Sequence, residues 1–199
     1  MVKYKSIKKT SKNKPKQNLN TQTQKKNSYV FNEEHYHSSE GMLTSVWGPS
    51  LWHFLHTISF NYPTKPTKLD KIRYKNTIVN LQYTLPCGKC RENLKENFKK
   101  LPITMKAMKN RETFSRYIYE LHELINTMLK KKSGLTYEMV RDRYELFRSR
   151  CNKTSKKNTK EKPRKENGCT EPIIGEKSKC VLHIVPKKKE CDTFQMDRQ

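Results

Sequence analysis

Cys87 and Cys90 form a C-x-x-C pair within "LQYTLPCGKCRENLKENF", directly behind Pro86. Two thiols at this spacing can hold a metal, staple the chain or pass an electron pair as a dithiol. Proline favours the first turn of a helix, so the pair is read as opening one. There the unpaired N–H groups and the helix dipole favour a thiolate. Lys89 and Arg91 add positive charge beside it. Such settings lower a cysteine pKa from about 8.5 to between about 3.5 and about 7.5, which suits a working dithiol.

A structural zinc site needs four ligands at short separation. Beyond Cys90 the next cysteine is Cys151, and Cys169, Cys180 and Cys191 fall in a polar tail. His53 and His56 form an H-x-x-H far upstream. The alternative is therefore a basic, non-enzymatic binding protein whose C-x-x-C is structural or zinc-binding. A thioredoxin-like dithiol would need a βαβ context, which the chain does not offer. A helical bundle could instead hold a planar cofactor between facing helices. Trp52 and His56 stand at i and i+4 on one helix face, and His122 and Asn126 have the same relation on another.

These residues need helices to position them, and apolar periodicity supplies four or five. Gly48-Pro49 reads as the start of the first, with Leu51, Trp52, Leu55 and Ile58 at helical spacing and Pro63 at its end. Thr67 and Asp70 resemble a capping box, followed by Tyr74, Ile78, Leu81 and Leu85. Pro86 stops that helix and begins another, with Leu94 and Phe98 on one face. The longest stripe runs from Phe114 through Ile118, Leu121 and Ile125 to Leu129, about four turns. Thr136 is a candidate N-cap for a last helix carrying Tyr137, Val140, Tyr144 and Phe147. No useful alternating pattern occurs between residues 43 and 151, so the fold class is all-α. "CVLHIVP" (180–186) could be a short extended segment with nothing to pair against.

The 199 residues carry a formal charge of +24, spread over the whole length rather than gathered into a stripe. That reads as a solvated basic surface, not a nucleic-acid site. Residues 1–42 and 152–199 are lysine-rich and poor in apolar residues, and both are expected to be disordered flanks of a 43–151 domain. No run is long and apolar enough for a membrane span, and no apolar region follows the N-terminal lysines. The six cysteines therefore read as intracellular metal or redox residues rather than a secreted disulfide scaffold.

"WGPSLWHFLHTISFNYP" (47–63), "LPCGKC" (85–90) and "LHELIN" (121–126) resemble, in order and spacing, the Erv/ALR sulfhydryl oxidases. Those proteins carry W-x-x-L-H, then P-C-x-x-C, then H-N-x-V-N and a lysine-bearing turn. The form here looks most like the branch of large DNA viruses. The resemblance implies a four-helix bundle plus a short fifth helix, FAD as cofactor, and a homodimer. It implies oxidation of protein dithiols, from a thiol carrier or virion proteins, with O2 as acceptor, in host cytoplasm or virion. Cys87 would exchange with substrate and Cys90 would face the flavin. Trp47, Gly48, Trp52, His56, His122, Asn126, Lys131 and Tyr144 would contact the cofactor. No metal is implied. Cys151, Cys169, Cys180 and Cys191 are candidate shuttle cysteines. Two departures stand out: Glu123 replaces the first Asn of H-N-x-V-N, and "LKKKSG" replaces L-G-K-P.

Overall fold

A computed structural model describes residues 32–37, 41–152, 168–181 and 184. The chain divides into two units, 1–38 and 39–199. In the first, the described residues form one short helix, α1 (Glu33–Tyr36), closed by a capping box between Asn32 and His35. The readings of disorder at 1–31, 38–40, 153–167, 182–183 and 185–199 fall outside the described residues.

Among its described residues the second unit has five helices: α2 (Thr44–Phe60), α3 (Lys68–Thr84), α4 (Gly88–Lys100), α5 (Arg111–Met128) and α6 (Tyr137–Glu145). Local chemistry starts most of them. Thr67 caps α3 in a reciprocal box with Asp70, Asn110 does the same for α5 with Thr113, and Thr136 accepts the Met139 N–H of α6. The stripe on α5 buries Phe114, Tyr117, Ile118 and Leu121 against Leu55, Ile78, Leu94 and Met108 from its surroundings. α2 packs on α5 and α6, α3 on α4, and α5 also meets α4 and α6. The expected all-α bundle of four helices and a shorter fifth is the architecture found.

Two expectations need correcting. Gly48-Pro49 does not start α2, which begins at Thr44 and contains Pro49. The extra turn is held from outside the helix. The Met42 N–H bonds the Pro86 carbonyl at 2.7 Å, Gly41 bridges Cys87, and the Trp47 indole N–H reaches the Met42 carbonyl at 3.0 Å. Gly41–Met42 thus joins the bundle rather than the flank ending at 42. At the other end, Ser149–Asn152 (β1) pairs antiparallel with Gly168–Pro172 (β2), where no strand was expected. This pairing links segments far apart in sequence, so short-range alternation gives no sign of it. Cys180, Val181 and Ile184 lie in no strand.

Candidate redox site

Cys87 is the N-cap of α4, its extended backbone turning the chain into the helix. Its Sγ accepts the Cys90 N–H at 3.2 Å, where a serine or aspartate oxygen usually sits. Cys87 and Cys90 are joined as a disulfide, both half-buried. Thr44, at the start of α2, places its hydroxyl 3.6 Å from the Cys90 sulfur. Lys89 and Arg91 have other business. Lys89 pairs with Glu92 at 3.1 Å, and Arg91 gives an N–H to the Leu85 carbonyl at 2.5 Å. The direct donors to the sulfurs are thus the Cys90 backbone and Thr44, not the two cations.

The approach of residues 41–42 to this site depends on Gly41. Its φ is +104°, and a Cβ there would lie 2.5 Å from the Pro86 oxygen and 2.9 Å from Cys87 Cα. Only glycine fits both demands.

α2 also carries the aromatic cluster. Trp52 begins two helical turns beyond Thr44, about 12 Å along the axis. Its ring stacks on His122 of α5, centroids 3.8 Å apart and nearly parallel. A 3.0 Å hydrogen bond joins His56 Nε2 and His122 Nδ1. Tyr144 of α6 stacks on Phe60, lies 5.2 Å from the His56 ring, and bonds His53 Nδ1 through its hydroxyl at 3.2 Å. Trp52, His56, His122 and Tyr144 are therefore brought together from three helices.

Both central histidines are neutral near pH 7. Burial, reinforced by His122 and then His53, holds His56 down to about 3. Burial also lowers His122 to about 4, with Glu123 opposing and Lys131 adding to the effect. Burial raises the Tyr144 phenol to about 12, with Arg143 opposing. Two neutral imidazoles sharing one hydrogen bond must adopt complementary tautomers, one donating and one accepting. His56 Nδ1 is buried without a partner among the described residues. Such a group normally costs about 1–3 kcal/mol, so its persistence asks for a ligand.

The remaining expected residues lie at the edges. Trp47 and Gly48 sit half-buried on the first two turns of α2. The Asn126 amide donates to Glu123 Oε1 at 2.9 Å, so the Glu123 departure engages the very side chain it neighbours in the motif. Lys131 is exposed, and its N–H bonds the Asn126 carbonyl at 2.8 Å. Just before it, Lys130 takes a left-handed φ of 55° at the position of the family's turn glycine. Among the tail cysteines, Cys169 is disulfide-bonded and its backbone pairs with that of Cys151; Cys180 is free and exposed. Cys191 lies outside the described residues.

Sequence reasoning missed Gly41 and Thr44, because a domain starting at 43 leaves Gly41 in the flank and a helix placed to start at Gly48 leaves Thr44 outside it. It noticed His53 only as half of an H-x-x-H. Among the described residues, no group of three or more His, Cys, Asp or Glu is placed to hold a metal ion. Two surface clefts of about 450 and 550 Å³ lie elsewhere, over α5–α6 and α4–α5, and neither is lined by Cys87, Cys90, Trp52, His56 or His122. Donor chemistry rather than cleft size therefore marks the site.

The sequence pattern of the Erv1 / Alr family matches residues 49–145, from α2 into α6. Over 96 residues the chain is 37% identical to a probable FAD-linked sulfhydryl oxidase of Acanthamoeba polyphaga mimivirus, covering 48% of this chain and 66% of that protein. It is 30% identical over 86 residues to an FAD-linked sulfhydryl oxidase of African swine fever virus, covering 43% and 70%. An Arabidopsis thaliana FAD-linked sulfhydryl oxidase is 32% identical over 84 residues, with 42% of each chain covered. The matched span contains the disulfide at the α4 N-terminus and the histidines of α2 and α5, and by that span the chain belongs to the Erv1/Alr family.

Proposed function

We propose that this chain is an FAD-linked sulfhydryl oxidase that forms disulfides in protein dithiols, by the net reaction 2 RSH + O2 → RSSR + H2O2. One observation carries the reading. A single helix, α2, touches the Cys87–Cys90 disulfide at its first residue and, two turns on, carries a neutral polar-aromatic cluster with an unpartnered buried His56 Nδ1. An unsatisfied imidazole nitrogen among Trp52, His122 and Tyr144 fits a planar, nitrogen-rich cofactor better than it fits a core.

A substrate thiolate attacks Cys87, giving a mixed disulfide, and a second substrate thiol resolves it. FAD, when bound, supplies the two-electron acceptor that no side chain here provides. Cys90, Trp47, Gly48, Trp52, His56, His122, Asn126 and Tyr144 would hold it, and Lys131 would meet its phosphates. The neutral histidines can donate or accept without placing a cation in the cluster. Among the tail sulfurs, exposed Cys180 and disulfide-bonded Cys169 are the described candidates for carrying electrons to Cys87, with Cys151 and Cys191 as further ones. We assign a homodimer, consistent with exposed Phe54 on α2 and exposed Leu69 and Ile72 on α3. The viral relatives support a place in host cytoplasm or virion, with a thiol carrier or virion protein as substrate. No helix among the described residues is long and apolar enough to cross a membrane.

The purified protein should be yellow and should consume oxygen with dithiothreitol. Cys87→Ser and Cys90→Ser should each cut turnover by at least about a thousandfold while leaving the flavin absorbance in place, because they remove a reacting atom and no packing group. Undiminished oxygen uptake in either variant would refute the roles given. A colourless preparation with stoichiometric zinc would instead support the non-enzymatic alternative.

A further inference from the structure

We infer that Thr44 is a third member of the redox site, its hydroxyl selecting Cys90 as the sulfur that leaves as thiolate when the disulfide is attacked. Its use in catalysis rests on the oxidase reading above, whereas its geometry does not. A disulfide sulfur carries no proton, so across the 3.6 Å contact Thr44 Oγ1 donates and Cys90 Sγ accepts. Leu43 holds the N-cap position of α2, so capping the helix does not occupy the Thr44 hydroxyl.

Thr44 is held in register by the same bonds that hold the uncapped first turn of α2. Two residues before it, the Met42 N–H bonds the Pro86 carbonyl, and Gly41 bridges Cys87. The Trp47 indole closes onto the Met42 carbonyl from the other side. The strap thus measures the start of α2 directly against the C-x-x-C turn.

The chemical argument concerns which sulfur is attacked. In the productive step, RS⁻ bonds to Cys87 Sγ, the S–S bond breaks, and its electron pair goes to Cys90 Sγ. The products are a mixed disulfide at Cys87 and a Cys90 thiolate. Exchange is faster when the leaving thiol has the lower pKa. The Cys90 backbone N–H points at Cys87 Sγ, and alone it would favour Cys87 as the leaving group. Thr44 is the opposing donor. Hydrogen bonds to an ionised acceptor are about twice as strong as neutral ones, so the Thr44 bond strengthens as charge reaches Cys90.

The test uses the full chain with Thr44→Val, Thr44→Ala and Thr44→Ser. In a Cys87→Ser background, iodoacetamide alkylation of Cys90 is followed against pH. Removing the hydroxyl should raise the Cys90 pKa and slow alkylation at pH 7 by about three- to tenfold, and serine should restore it. In the otherwise native chain, the Cys87–Cys90 couple should become more reducing, by about 30 mV for a tenfold change. Limiting glutathione followed by peptide mapping should show the mixed disulfide moving from Cys87 toward Cys90 in Val and Ala but not in Ser. Unchanged alkylation and potential in folded Val and Ala variants would overturn the inference. So would a serine variant that behaves like valine. None of these readouts needs turnover. An inactive wild-type protein with an intact Thr44 effect would thus sink the oxidase reading alone.

Discussion

Two aromatic clusters share this bundle and are built on opposite terms. Tyr62, Tyr74 and Phe114 meet edge to face, with centroids 4.8 to 5.9 Å apart. Tyr62 and Phe114 are fully buried, and the Tyr62 hydroxyl donates to the Met108 carbonyl at 3.1 Å. Apart from the hydroxyls of Tyr62 and half-buried Tyr74 the cluster is apolar, as a core should be. Trp52, His56, His122 and Tyr144 have comparable ring contacts but put imidazoles where leucines would pack, and leave His56 Nδ1 unmatched. Burying neutral histidines forfeits hydration that leucine would not need. A bundle gains nothing in stability from the second arrangement. On the proposed reading, the difference separates residues kept for the fold from residues kept for a ligand.

The comparison can be broken most forcefully at the dry cluster. Phe114→Ala should destabilise the fold by about 3–5 kcal/mol, read by denaturant unfolding, because it empties a fully enclosed ring site. A loss below about 1 kcal/mol would mean the dry cluster is not the core. At the polar cluster the expectation reverses. His56→Leu, of similar volume, removes the orphan nitrogen but also the bond to His122. Unfolding free energy of the cofactor-free protein should therefore change by only about 1 kcal/mol. Flavin retention after gel filtration should nevertheless be lost. A leucine variant that stays yellow would dissolve the distinction.

Acid should also single out the polar cluster. The folded pKa values of about 3 and about 4 for His56 and His122 lie below the usual value of 6.5. A depressed folded pKa means that stability is intact above pH 6.5 and falls as pH drops toward 4 and then 3, since only the unfolded chain takes up protons in that window. At pH 5 each histidine should cost at most about 2 kcal/mol. Melting temperature should drop between pH 7 and 5, whereas the folded-state fluorescence of Trp52, stacked on His122, should hold until pH nears 4. A flat profile would show that neither histidine is desolvated in solution. The smallest effect is expected at Lys130, whose φ of 55° favours glycine. Lys130→Gly should stabilise by about 0.5–1 kcal/mol. A destabilised variant would mean that the lysine side chain does something there that outweighs the strain.

Much of the fold was legible because its signals are local. The Thr67–Asp70 box, the Thr136 cap and the α5 stripe each lie within one helix, where a few neighbouring residues fix the hydrogen bonds. Pro86 before Cys87 likewise marked a cysteine pair opening a helix. The start of α2 was not legible, since Thr44–Ser45–Val46–Trp47 carries no cap and Pro49 suggests a later start. Bonds to Pro86 and Cys87, about 45 residues on, stabilise that turn. The β1–β2 pair was missed for the same reason.

By itself, the sequence determined the helices and the vicinal cysteines, because helix periodicity, caps and a three-residue spacing are short-range properties of one chain segment. Only the tertiary structure decided that Thr44 meets Cys90, that Gly41 must be glycine, and that three helices bring His56, His122 and Tyr144 within reach of one another. Those facts depend on the distance and angle at which packed helices hold residues up to 91 positions apart. No pattern within a single segment encodes such a distance.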